Sequence, residues 1–185
     1  MIWDSADLPV INTGADACVQ FIIDSLTDER GVHIETAINM AGSLAGVSIL
    51  RSAVRAEKIN LSDLIRTKPG SPVFIEKANE IGVELTDFMT AFCKSMGIDP
   101  KSGWSDLVPE DHQPLKPAVD LVREFEKPFV ELMDTQKLRF ELRPFAGGLS
   151  AIKLIKMGSK VLNPDIGKAI ALTATVASSK TIPST

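Results

Sequence analysis

The stretch from Thr36 to Leu50 carries neither a charge nor a proline, and it holds the small-residue spacing Gly42-Ser-Leu-Ala-Gly46. Glu35 and Arg51 bracket it. A helix over this run is apolar on nearly every side, and such a helix belongs in the middle of a fold. At 1.5 Å of rise per residue the run covers roughly 22 Å, short of the ~30 Å hydrocarbon layer of a bilayer. The expectation is a buried central helix over about residues 32–56.

A chain of 185 residues that is 44% hydrophobic and 24% charged suits one globular domain, 1–185, with a sizeable core. The net charge of −4 offers no electrostatic reason to approach nucleic acid or an anionic membrane. Aromatic residues make up 5% and tyrosine is absent, which disfavours base-stacking platforms and tyrosine-rich binding loops. Cys18 and Cys93 fall in amphipathic segments and read as reduced, buried thiols. The first residues hold acids where a signal peptide needs bases, so the expected location is the cytoplasm.

Around the central helix the apolar spacing predicts an all-α bundle of five or six main helices. Thr13 and Asp16 form a capping pair for a helix running toward Asp28, with Gly31 as its stop. A short helix is expected over Leu61–Thr67, ended by Pro69-Gly70. Ser71 and Pro72 read as cap and first turn of the most regular amphipathic segment, with Phe74, Ala78, Ile81, Leu85, Phe88, Phe92 and Met96 facing inward and Gly97 ending it. After a long polar connection, 98–114, a helix begins near Pro117 and is kinked or split at Pro128. Pro144 opens a helix to Met157, with Gly158 as a left-handed terminator, and Asn163-Pro164-Asp165 starts the last one.

Candidate chemistry is sparse. His33 and His112 are the only histidines, and no Glu-x-x-His pair or Cys-x-x-Cys occurs, so neither a metal nor a cofactor is expected. Ser150-Ala-Ile-Lys153 has the Ser-x-x-Lys spacing of penicillin-recognising enzymes, but its companion glycine is missing after Lys180-Thr181, and one such match is expected by chance. No Gly-x-x-x-x-Gly-Lys loop is present.

Glu35, Asn39, Gly42, Ser43 and Gly46 share one face of the central helix, because they recur at three- and four-residue steps. The face is either a close helix crossing at the glycines or a small polar pocket beside an apolar cavity. Glu76, Glu80, Glu84 and Asp87 form an acidic stripe, and Lys153, Lys156 and Lys160 a basic one. These are either solvated faces or stripes that meet, within one chain or between two copies. Trp104, in the long connection, either anchors a partner or folds down on the core.

The leading expectation is a non-catalytic helical protein that acts by association, as a homo-oligomer. The second is a small-molecule binding protein or enzyme whose inter-helix pocket uses Glu35, Asn39 and Ser43, with Arg139 or Arg143 holding a carboxylate. A membrane-inserting hairpin over 144–178 comes third, opposed by Lys153, Lys156, Lys160 and Lys168.

Overall fold

A computed structural model describes residues 2–60, 71–104 and 106–181. They form six α-helices: α1 (Leu8–Leu26), α2 (Ile34–Ala56), α3 (Glu76–Ser95), α4 (Ala118–Thr135), α5 (Arg143–Gly158) and α6 (Pro164–Ser179). Three 3-10 turns occur at Ser5–Asp7, Glu110–His112 and Phe140–Leu142. Among the described residues there is no strand, only isolated bridges joining Asp28 to Gly31 and Pro72 to Thr181. The fold is all-α, a helical bundle. The short helix expected over Leu61–Thr67 lies outside the described residues.

Helix α2 is the axis, and all five other helices pack on it. Ala41 and Leu44 at its centre are fully buried, as its lack of charge requires. With 23 residues it is long and apolar enough to cross a membrane, but 94% of its most apolar window is buried inside the protein. Small residues let its neighbours approach. A Cβ at Gly42 would stand 2.5 Å from the carbonyl oxygen of Ala171 on α6, and one at Gly46 would fall inside 3.0 Å of the Thr175 carbonyl. On the other side, Gly147 of α5 closes on the backbone of Ala45, where an added Cβ would meet it at 2.9 Å. The crossing at the two α2 glycines is therefore filled by helix α6.

Several helix ends depart from the sequence expectation. Helix α1 starts at Leu8, ahead of Thr13, because Asp4 and Asp7 cap the preceding 3-10 turn and Pro9 occupies the first helical turn. Thr13 lies inside the helix and donates to the Pro9 carbonyl at 3.0 Å. Helix α3 begins at Glu76, since residues 72–73 pair with the end of α6 through Val73 N–H to Lys180 O at 2.8 Å. Phe74 consequently points outward and is 75% exposed. Pro128 does not split α4. The carbonyl it leaves without a helical partner, at Glu124, is on an exposed flank, while Leu121, Val122, Phe129 and Met133 stay buried. Gly158 is the last residue of α5 and is not left-handed; it is small because Ile34 Cγ1 would stand 2.5 Å from its Cβ.

Other ends match. Gly97 has φ +71° and closes α3 with Ile98 N–H bonded to Cys93 O at 2.9 Å, a Schellman arrangement that buries Ile98. The Asn163 side chain accepts from Asp165 N–H at 3.0 Å and starts α6.

Candidate functional site

The polar face at the start of α2 is the point at which the long connection before α4 is fastened. Glu35 Oε1 lies 3.0 Å from His112 Nδ1, the Thr36 hydroxyl accepts from Leu115 N–H at 2.9 Å, and Asn39 Nδ2 donates to Lys116 O at 2.8 Å. These ties come from successive turns of one helix face. They hold residues 112–116 as a strap across α2. His33 caps the helix by accepting from Thr36 N–H at 3.3 Å, and the Thr36 hydroxyl lies 2.9 Å from the same ring nitrogen. A consistent proton arrangement runs from Leu115 N–H to the Thr36 hydroxyl, and from that hydroxyl to a hydrogen-free Nδ1 of His33.

Beside the strap lies a groove of about 500 Å³. Val108 and Pro114 to Ala118 form one wall, Ile170, Thr173, Ala174 and Ala177 of α6 form the other, and Asn39 stands between them. A second groove of about 560 Å³ opens on the far side of Leu115 and Lys116, toward Thr27, Asp28, Arg30 and His33. Both fall in the size range of ligand sites.

The remaining residues singled out from the sequence are dispersed. Ser43 is fully buried and donates to the Asn39 carbonyl of its own helix at 2.7 Å. Arg139 pairs with Asp7 at 2.6 Å. Arg143 is buried, pairs with Asp134 and lies over the Phe140 ring at 5.0 Å. It neighbours Val47, Ser48 and Arg51, two to three turns along α2 from Asn39. The structure thus joins Glu35 and Asn39 to the strap and leaves both arginines elsewhere.

The charge stripes do not join each other within the chain through any contact among the described residues. Lys153 turns to Asn12 and Asp16 of α1, Glu80 takes Lys77, and Glu84 accepts from Ile2 N–H at 2.8 Å. Glu76, Asp87, Lys156 and Lys160 are exposed. Trp104 is half-buried, donates to Pro100 O at 3.2 Å and lies 5.8 Å from the Lys168 ammonium.

Lys168 was legible only as a charge interrupting an apolar segment, yet it is fully buried. Its ammonium donates to the Asp99 carbonyl and pairs with Asp165 at 2.9 Å, while Ser102 donates to the same carboxylate at 2.9 Å. The hydrogen bond from Lys168 holds the Asp165 carboxyl below its ordinary value. This cluster fastens the start of the connection to α6, and Gly103, at φ +87°, lets the chain pass close to Asp165.

The two thiols and the Ser150 hydroxyl are each engaged or masked. Both cysteines are free and buried, and burial pushes the thiol of Cys18 up to about 12 and that of Cys93 to about 11. The Ser150 hydroxyl lies 2.6 Å from Ala146 O inside the core. No cluster of three or more His, Cys, Asp or Glu side chains among the described residues is arranged to hold a metal ion.

These features define an all-α protein built on a buried central helix, with a strap-walled groove against its last helix. No protein-family model matches the chain, and no curated protein or solved structure matches it either.

Proposed function

We propose that this is a non-catalytic helical protein that acts by associating with a second copy of itself, through the furrow between α3 and α6. The furrow has a volume of about 300 Å³, with Ile49 of α2 at its floor. Val83 on one lip is 63% exposed and Val176 on the other 43%. On the α3 side, a Cβ at Gly82 would meet no atom within 4 Å, so that wall leaves room for an incoming side chain.

The observation that carries the reading is the charge pattern of this furrow. Residues 72–73 pair with 180–181, which sets the start of α3 beside the end of α6 and makes the two helices antiparallel. Asp87 therefore marks one end of the furrow and Lys180 the other. Neither has an ion-pair partner among the described residues. A two-fold axis through the middle of the furrow sets Asp87 of each copy against Lys180 of the other, with valines between. An isologous interface needs this self-complementarity. The masked thiols and the engaged Ser150 are in keeping with a non-catalytic role.

Sedimentation velocity tests it. The wild-type chain is expected to sediment as a dimer at high micromolar concentration, and Val176→Glu as a folded monomer. Asp87→Lys should weaken the dimer, more so at low salt, and adding Lys180→Asp should restore it. A wild-type monomer at every concentration, or a dimer indifferent to Val176→Glu, overturns the proposal.

A further inference from the structure

We infer that the groove beside Asn39 binds an uncharged, largely apolar small molecule carrying one O–H or N–H donor. Three observations define this chemistry. First, Asn39 is only 6% exposed, and its Nδ2 is committed to the Lys116 carbonyl at 2.8 Å. That bond fixes the amide orientation and leaves Oδ1 facing a different direction, with no donor from any described residue. That oxygen is not sealed off from water, so a ligand donor would take the place of a solvent molecule there.

Second, the lining is apolar apart from that amide, the hydroxyl of exposed Thr173 at the rim, and groups already satisfied. Val108, Pro114, Pro117, Ile170, Ala174 and Ala177 are among its apolar lining residues. The Gln113 amide is spent on Val108 O at 2.9 Å. The single charged residue in the lining, Lys116, places its ammonium 2.7 Å from Glu124. A charged ligand would lose hydration here and gain no counter-charge, so the occupant is neutral.

Third, the groove is built before any ligand arrives. Its outer wall is tied to α2 through Glu35, Thr36 and Asn39, and prolines 114 and 117 restrict the backbone between. Little ordering is needed on binding, which favours affinity at this modest volume of about 500 Å³. The site lies on the opposite flank of α6 from the association furrow: Thr173, Ala174 and Ala177 face the groove, while Leu172, Val176 and Ser179 face the furrow.

The test is a pair of fluorescent probes of nearly equal shape, 1-naphthol and 1-methoxynaphthalene, of which only the first has a donor. In equilibrium titrations of the full chain, 1-naphthol is expected to bind about fivefold more tightly, the increment of one neutral hydrogen bond. Ala177 is exposed, so Ala177→Trp should fill the groove and abolish binding of both probes while thermal unfolding stays cooperative. Asn39→Leu should bring the two affinities together. If that variant fails to fold, the probe pair on the wild-type chain together with Ala177→Trp still decides. Absence of binding to the wild-type chain overturns the inference, as does equal affinity for the two probes or binding that survives Ala177→Trp. Val176→Glu, which disrupts the proposed dimer, should leave the titrations unchanged, so the two readings fail separately.

Discussion

His112 Nδ1 lies 3.0 Å from Glu35 Oε1, although 77 positions separate the two residues in the chain. Their side chains are only 28% and 13% exposed, so the contact is shielded from much of the competing water. It anchors one end of the strap that walls the groove. Replacing His112 with Ala should lower stability by about 1 kcal/mol, the usual net worth of such a bond. The Leu115 amide, which donates to Thr36, should exchange its hydrogen faster in the variant than in the wild type. Urea denaturation and amide hydrogen exchange measure these effects. Unchanged protection at Leu115 would show that the strap is held without the Glu35–His112 contact.

Two glycines on different helices should respond oppositely to alanine. At Gly46 the new methyl runs into the Thr175 carbonyl oxygen, a backbone atom that cannot swing aside. Gly46→Ala is expected to cost about 1–3 kcal/mol by forcing α2 and α6 apart. At Gly82 the same methyl meets nothing within 4 Å, so Gly82→Ala should stabilise by about 0.5–1 kcal/mol through reduced backbone freedom in the unfolded chain. Midpoints of urea denaturation for the two variants should fall on either side of the wild type.

The Asp165–Lys168 contact predicts an acid limb of stability. Because the Lys168 hydrogen bond depresses the folded-state value of Asp165, its contribution is present above the ordinary carboxylate value of 3.8 and is lost as pH falls through the lower folded value. Asp165→Asn should therefore be less stable than wild type at neutral pH, and the difference should shrink below that range. Thermal melts across an acid pH series check the sign; a difference that grows on acidification contradicts it.

The two thiols predict an alkaline limb and slow chemistry. Burial raises Cys18 to about 12 and Cys93 to about 11 from an ordinary 9.0, so the folded state keeps both neutral where the unfolded chain begins to ionise. That contribution is complete below 9.0 and disappears as pH rises through the folded values. At neutral pH neither thiol should react with iodoacetamide until urea unfolds the chain, when both should. Mass spectrometry before and after unfolding counts the adducts, and rapid native labelling of either cysteine would show that its surroundings open.

What the sequence determined by itself was local in origin. The charge-free run from Thr36 to Leu50 has no face that water can solvate, so it had to be enclosed wherever the other helices went. Asn163-Pro164 starts α6 and Gly97 ends α3 because cap and turn geometry depend on a few adjacent residues. Tertiary structure decided what depends on distant partners. The chain could pair with the end of α6 before α3, which moved the start of that helix past Phe74. Gly158 reads locally as a terminator but is required by Ile34 packing against it. Glu35 and Asn39 could be placed on one face from their spacing, whereas their partners His112 and Lys116 could not, because no periodicity links positions so far apart. Lys168 is buried for the same reason: the Asp99 carbonyl that receives its ammonium comes from a connection whose path is set by packing alone.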